Sequence, residues 1–443
     1  MLKKIGTALV LAYLLPGAAL AEDQITIHKT VVDTLRYAPR LEMIKHNREA
    51  VEHDLRKSRG LWYPRIDVRG GIGTDAHSSR LTRAEDRDND WDRRTEASAV
   101  LTQRLYDGGD RFGQVRLDKT RLASLDHRVL DNAESLALDA IIANLEVYRQ
   151  RELLALAEEN AQAHKSILSS LQEREKGGAG SAADVKQTQA RLAMAQASLS
   201  KAHASLQAAL SDYQRLTGVF PGKIALEPYP GGVLPNTLEE MTAQAASGNP
   251  KLGAAAEDIN SESERVSIAK SNYHPYVYAE LSSSYQDGVE DQDRWKMTNA
   301  AMLRLNWNLF NGGSDMAAVK AARARMRQAQ SDREDLVLAV TDETRATWAL
   351  YHSTLNEVQE YTSAVEFNRS TRGIYLEQFG VAQRSLLDVL DSENEVFQSA
   401  SQLVTARVNE HIAAYKLMAL SGKLISSLRI DPDLYQKGPG VRD

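Results

Sequence analysis

The chain has 443 residues, a formal net charge of −6 and no cysteine. The absence of cysteine excludes disulfides, thiolate metal sites, a cysteine nucleophile and a lipid-modified N-terminal cysteine. No basic face stands out in the sequence, so nucleic acid is not an expected partner.

The N-terminal segment has the pattern of a secretory signal peptide. Lys3 and Lys4 precede an apolar run over 5–15, and Ala19 and Ala21 fit a small-residue cleavage site. The run is shorter than the ~20 apolar residues of a membrane-crossing helix. We therefore predict a signal peptide at 1–21 and a mature chain in the periplasm, the outer membrane or the medium.

The first half of the mature chain predicts a helix, a strand hairpin and then two long helices. The first helix covers 34–62 and ends before Pro64, because the residue before a proline disfavours the helical conformation. Alternation of apolar and polar residues predicts two strands within 65–105, separated by a polar loop at 76–93. The glycines of LYDGGD (105–110) allow the sharp turn from the second strand into a long helix.

The second half repeats this plan. Corresponding residues before the hairpin loop lie 211 positions apart, and corresponding residues after it lie 204 positions apart. The pairs are Pro39 with Pro250, Pro64 with Pro275, Gly108 with Gly312, Asp184 with Asp388, and Gly218 with Gly422. The difference of seven falls in the loop between the strands, which is longer in the first copy. Two constant offsets over whole halves indicate an internal duplication.

The long helices carry the heptad pattern of a coiled coil. After LFNGGS (309–314), the chain is predicted to be helical to about Tyr375, and apolar or near-apolar residues recur at steps of three, four and seven from Met326 to Val365. This arm would be ~90 to 100 Å long at ~1.5 Å per residue. A helix of that length cannot pack within a compact domain, so we expect it to line something elongated.

These patterns predict an internally duplicated, mainly helical chain with four β-strands. The predicted segments are the signal peptide at 1–21, a first repeat at 22–218, a connector at 219–248, a second repeat at 249–422 and a C-terminal tail at 423–443. Within the repeats, the strand hairpins are predicted at 65–105 and 275–309, and the turns between the long helices at 176–184 and 377–388.

Four strands cannot close a barrel, and an open sheet in lipid would leave unsatisfied backbone groups at its edges. The chain must therefore supply its strands to an oligomer or stay out of the membrane. The second alternative is a soluble periplasmic coiled-coil adaptor or scaffold with hairpins packed on helices.

The signal peptide, the two glycine turns LYDGGD and LFNGGS, the duplicated long helices and the closing LTG and LSG together resemble the TolC-like outer-membrane efflux and export channels. The resemblance spans 25–428. It implies a fold that is mainly α with membrane β, in which a homotrimer pools its strands into a twelve-stranded outer-membrane barrel. An α-helical tunnel would continue the barrel across the periplasm, and the connector at 219–248 would form an equatorial belt around it.

The same resemblance implies a passive duct and not an enzyme, with no cofactor. Its partners would be outer-membrane lipid, a periplasmic adaptor and an inner-membrane transporter of the ABC or RND type. The absent lipid-anchoring cysteine favours type I protein secretion slightly over small-molecule efflux, which stays open as an alternative. The residues themselves agree, since no metal-ligand pair, phosphate-binding loop or activated nucleophile is present.

The family closes its tunnel at the turns between the long helices, and the second turn of this chain fits that pattern. Asp388 and Asp391 lie one helical turn apart, so both carboxylates share a face. Threefold symmetry would place them in two rings that favour cations. Asp184 is the first-copy equivalent of Asp388, and Arg384 fits the position that locks the closed hairpins. As isolated residues, such acids are more often first-turn residues favoured by the helix dipole.

Two features depart from the family pattern. Gly180 stands where the first copy would carry the equivalent of Arg384, and Phe379 stands where the family often has an aromatic hydroxyl. The turns are also the expected docking points of the adaptor. The residues expected to take part in docking are Gly178, Gly180, Ser181, Gly380, Ala382 and Ser385.

Overall fold

A computed structural model describes residues 25–76, 78–84, 86, 89–178, 180–288, 295–381 and 383–436. The predicted signal peptide lies outside the described residues, as does most of the polar stretch 286–294, which the sequence predicts as the loop between the strands of the second copy. Among the described residues, no helix combines the length and the apolar composition that a membrane crossing requires.

Among the described residues, the first copy contains five helices and two strands. They are α1 (Ile27–Tyr37), α2 (Pro39–Gly60), β1 (Arg65–Ala76), α3 (Arg80–Ala84), β2 (Trp91–Tyr106), α4 (Asp110–Lys176) and α5 (Ala182–Thr217). The second copy follows a connector that holds one short 3-10 turn, Gly231–Val233. Its elements are α6 (Leu238–Gly248), α7 (Pro250–Ser271), β3 (Tyr276–Asp287), β4 (Trp295–Asn306), α8 (Ser314–Gly380) and α9 (Leu386–Leu420). The described chain ends with α10 (Leu424–Ser427) and α11 (Asp433–Gln436).

The two copies agree closely in the lengths of their elements. Helices α2 and α7 have 22 residues each, and α4 and α8 have 67 residues each. The predicted fold class, mainly helical with four strands per chain, is therefore confirmed. Helix α6 repeats α1, so the second copy begins within the segment that we predicted as connector. The local signal is Thr237, whose side chain accepts a hydrogen bond from the Glu240 amide and caps α6.

Two predicted ends differ from those observed. Helix α8 continues to Gly380 instead of ending near Tyr375, because no proline or glycine interrupts 374–379. Strand β4 ends at Asn306, so the apolar residues that follow it do not continue the alternation.

The four strands form one antiparallel sheet in the order β1-β2-β3-β4. The pairing of β2 with β3 joins the two copies, with Leu101 opposite Leu281 and a register shift between Arg104 and Tyr106. Strands β1 and β4 each pair with one neighbour among the described residues. Apolar side chains on these outer strands are largely exposed, for example Val68 at 78%. The sheet thus presents apolar surface and two open edges.

Glycines make the turns from strand to helix in both copies. Gly108 and Gly312 occupy the same place in the two copies and have φ angles of +65° and +69°. A Cβ at Gly108 would lie 2.6 Å from the carbonyl oxygen of Ser271, whereas a Cβ at Gly312 would meet nothing within 4 Å. The difference follows from the strand order, because β2 lies beside β3 while β4 ends the sheet.

The chain divides into two compact units. The first unit, called the turn unit, comprises 25–33, 140–228 and 361–408 of the described chain. Its interior includes an apolar cluster around Val147 and Tyr213. Thr30 Oγ1 lies 3.1 Å from the Tyr213 hydroxyl and accepts a 2.9 Å hydrogen bond from the Asn144 amide. These buried bonds fix α1 to α4 and α5.

The second unit, called the sheet unit, contains the four strands and the described C-terminal residues. Glu134 of α4 is only 3% exposed there. Its two carboxylate oxygens accept hydrogen bonds from the amides of Leu424 (3.2 Å) and Ile425 (3.3 Å). Burial raises the pKa of Glu134 from 4.5 to about 8, although the two amide donors lower it.

This carboxyl group gives a pH-dependent prediction. Because the folded-state pKa is raised, the stabilising contribution of protonation is complete below about pH 4.5 and is lost as the pH rises through about 8. The loss should be on the order of a few kcal/mol. In thermal melts of the detergent-solubilised protein, Glu134→Gln should reduce the fall in Tm between about pH 5 and about pH 9. Glu158→Gln, at an exposed position on the same helix, should keep the fall seen in wild type. Equal slopes in all three proteins would contradict the prediction.

Candidate gating site at the two helical turns

Two turns in the turn unit join the long helices. We name turn A the residues 177–181 between α4 and α5, and turn B the residues 381–385 between α8 and α9. One apolar cluster underlies both turns. Its buried members are Leu171, Val185, Leu386 and Leu390, and the partly buried Ile167, Leu168 and Phe379 pack against it. The position of one turn is therefore tied to that of the other.

Turn A depends on its glycines. Gly178 has a φ of +77°, which favours glycine, and its amide donates to the Glu175 carbonyl at 3.0 Å. A Cβ at Gly180 would lie 2.7 Å from the Glu175 amide nitrogen. No side chain fits there without moving the backbone. This explains why the first copy lacks a counterpart of Arg384.

Ser181 and Ser385 cap the helices that leave the turns. Ser181 Oγ accepts a 3.2 Å hydrogen bond from the Ala183 amide. Ser385 Oγ accepts from the Asp388 amide at 3.2 Å and donates to Asp388 Oδ2 at 2.9 Å. Both serines are exposed, whereas the predicted docking residue Ala382 lies outside the described residues.

Arg384 makes its contacts within turn B and the adjoining helices. Its Nε lies 3.3 Å from Asp388 Oδ2 without forming a hydrogen bond to a described residue. Its guanidinium carbon lies 3.9 Å from the centre of the Tyr375 ring, a cation–π contact. The arginine is thus held over its own hairpin, and its predicted contact with another hairpin stays a prediction.

The three aspartates predicted to form the gate have different surroundings. Asp391 Oδ1 accepts a 2.8 Å hydrogen bond from Arg191 Nη2, which links α9 to α5. Asp388 instead contacts Ser385 and Arg384, which both belong to turn B. Asp184 is partly exposed in the first turn of α5, and no lysine or arginine of the described chain lies within ion-pair distance of it. Within the described part of the chain, Asp391 is the one of these three acids that pairs with a cation from the other copy.

The structure adds a second charged group farther from the turns. Arg372 Nη1 lies 3.5 Å from Glu393 Oε2 and 3.9 Å from Glu159 Oε1, which connects α8, α9 and α4. Burial raises the pKa of Glu393, while Arg372 lowers it. His164 is 3% exposed, and its pKa is lowered by burial and by the nearby Arg191 guanidinium.

Three residues of this site were not predicted from the sequence: Arg191, Glu393 and His164. Glu393 had a detectable signal, because it lies three residues from both Leu390 and Val396 and interrupts an apolar period. Arg191 had no such sequence signal, because a heptad pattern does not reveal which neighbouring helix a long exposed side chain contacts.

Phe379 is accommodated by a contact that needs no hydroxyl. The guanidinium carbon of Arg174 lies 5.1 Å from the centre of its ring. This cation–π contact joins the ends of α4 and α8. A contact between these two helix ends is therefore present although the ring carries no hydroxyl.

Several known proteins are similar to this chain in sequence. The model of the outer membrane efflux protein family matches residues 31–219 and 242–423. The chain is 22% identical over 328 residues to the outer membrane efflux protein BepC of Brucella suis biovar 1, covering 73% of this chain and 71% of the relative. It is 24% identical over 346 residues to the alkaline protease secretion protein AprF of Pseudomonas aeruginosa, covering 76% and 71%.

Solved structures show the same fold. The Campylobacter jejuni CmeC outer membrane channel superposes with a TM-score of 0.80 at 13% identity, covering 90% of this chain and 86% of that chain. The family match covers both copies and both turns. The chain belongs to the outer membrane efflux protein family, a family of channel proteins, and is itself an outer-membrane protein that extends into the periplasm.

Proposed function

We propose that this chain forms a passive duct that conducts cargo from a periplasmic adaptor and an inner-membrane pump to the exterior. The observation that carries the proposal is the open four-stranded sheet with exposed apolar side chains. An open sheet edge is not tolerated in lipid, so the strands need partners from other chains. Channels of this family are trimers that work with adaptors and inner-membrane pumps. Three chains would supply twelve strands to one barrel.

The gate belongs to the same proposal. Asp388, Asp391 and Asp184 would line the closed periplasmic end, and Arg384 would help to hold it shut. Turns A and B pack on the same apolar cluster, which supports this part of the proposal. A displacement of one turn would therefore displace the other. The exposed caps Ser181 and Ser385 and the neighbouring glycines would meet the adaptor.

Type I protein secretion is the cargo class that we favour. Two relatives are named for the secretion of proteases, AprF at 24% identity and PrtF of Dickeya chrysanthemi at 21%. The alternative is small-molecule efflux, which the name of BepC favours at a similar identity. The soluble scaffold is not retained, because the family consists of outer-membrane channels.

Transport in a reconstituted host tests the proposal. The chain would be expressed in a Gram-negative strain that lacks its own channel, together with either an ABC transporter and adaptor for a secreted protease or an RND pump and its adaptor. Protease in the medium and dye accumulation in the cells would be measured. Secretion without restored dye efflux supports type I export. Restored dye efflux without secretion favours the alternative. If the protein is present in the outer membrane but supports neither secretion nor efflux, the proposed duct is contradicted.

A further inference from the structure

One ion pair in the turn unit connects the two copies close to turn B. Arg191 Nη2 of α5 and Asp391 Oδ1 of α9 are 2.8 Å apart, with side chains 34% and 50% exposed. A short hydrogen bond between charged groups is stronger than a neutral one. Exposed ion pairs usually contribute little free energy, because ordering two long side chains costs entropy. A short pair at this position therefore depends on other contacts that hold the two helices in place.

The apolar cluster under the turns holds them. Val185 of α5 and Leu390 of α9 are both buried members of it. Asp391 directly follows Leu390, and Arg191 lies six residues after Val185 on the same helix. The packing that fixes α5 against α9 therefore also fixes the distance that Arg191 must span.

The pair has no equivalent in the duplicated structure. At the offset of 204, Arg191 corresponds to Glu395 and Asp391 corresponds to Gln187. Gln187 and Glu395 cannot form an ion pair. Each chain thus contributes one such contact, and it always links α5 of the first copy to α9 of the second.

The neighbouring acids are not neutralised in this way. Arg384 approaches Asp388 at 3.3 Å, but its Nε forms no hydrogen bond to a described residue and its guanidinium lies on the Tyr375 ring. Asp184 has no cation of the described chain within ion-pair distance. Of the three acids, Asp391 is thus the one that accepts a hydrogen bond from a cationic side chain of the described residues.

We propose that Arg191 is a specificity-determining residue of the duct: it neutralises Asp391 while α5 and α9 stay packed, so that Asp388 and Asp184 supply the cation preference. This inference rests on the proposed function. A movement that separates α5 from α9 would break this pair in each chain and leave three carboxylates and three guanidinium groups per trimer without their partners.

Four proteins test the inference in planar bilayers: wild type, Arg191→Gln, Asp391→Asn and the double variant. The reversal potential under a salt gradient gives the cation-to-anion permeability ratio. Arg191→Gln should raise this ratio by roughly two- to five-fold, because it frees the Asp391 carboxylate. Asp391→Asn should lower it, since Arg191 is left unpaired, and the double variant should return close to wild type. Lys186→Gln removes a cation from the same helix and should leave the ratio unchanged.

Thermal melts of the same four proteins distinguish a true pair from two independent charges. If the residues are paired, each single variant lowers Tm and the double variant loses little more. Losses that simply add, or an unchanged permeability ratio in Arg191→Gln, would overturn the inference while leaving the duct intact. If wild type itself gave no conductance, the proposed duct would fail and the inference would fail with it.

Discussion

Cysteines at Thr74 and Ala301 are expected to join neighbouring chains into covalent trimers on oxidation. The expectation comes from the observed pairing of β2 with β3, in which Ala97 lies opposite Tyr285. The duplication places Ala301 of β4 at the position of Ala97, and Thr74 of β1 at the position of Tyr285. If the open edges pair as β2 and β3 do, Thr74 of one chain lies opposite Ala301 of the next.

The chain suits this test because it has no cysteine of its own. Directly opposed strand residues have Cα atoms ~4.5 to 5.5 Å apart, within the range that a disulfide spans. The matched control combines Thr74→Cys with Asn299→Cys, a diagonal pair on the same face at ~7 to 8 Å. Gel electrophoresis without reductant should show trimers for the first pair and mainly monomers for the control. The reverse outcome would disprove the inferred register, and monomers from both would disprove the pairing of the edges.

A thiol at turn B is expected to stop export when it is oxidised. Gln383→Cys places it beside Arg384 on an exposed side chain and leaves the Ser385 cap in place. In the proposed closed state the three copies of turn B converge, so a disulfide between two of them would prevent opening. Export of a type I substrate should fall to background and recover after reduction.

The control for this lock is Ser200→Cys, exposed in the middle of α5. It should neither cross-link nor affect export. If the cross-linked Gln383→Cys protein still exports its substrate, the gate does not lie at turn B. A thiol that never cross-links between chains would show that the turns do not converge.

The extent to which the sequence predicted these features depends on the range of the interactions involved. The duplication and the glycine turns are repeated local patterns, so the offsets of 211 and 204 located Gly108, Gly312 and Asp388 correctly. Helix α6 was not predicted, because it follows a proline-rich segment and was assigned to the same irregular connector. Its one local signal is the capping residue Thr237. The sequence alone could not reveal that Gly108 is crowded by Ser271 while Gly312 is free, since that depends on strand order.

The candidate site was predictable only in part, for the same reason. The positions of Asp388 and Asp391 on one helical face follow from helical periodicity. Their partners do not, because Arg191 reaches Asp391 from 200 positions away through the packing of two helices. From the sequence, Gly180 was a departure from the family pattern at the position equivalent to Arg384. The structure shows that a Cβ at this position would meet the backbone of Glu175.

Single-channel recording of the purified mature chain in a planar bilayer tests the central claim most directly. Wild type would be compared with the double variant Asp388→Ala and Asp391→Ala. A duct closed at turn B should give a small, cation-preferring conductance in wild type, and the preference should fall strongly in the double variant, which keeps only Asp184 of the three acids. Well-folded protein that never inserts, or inserts without conducting, would contradict the claim that this chain forms a duct.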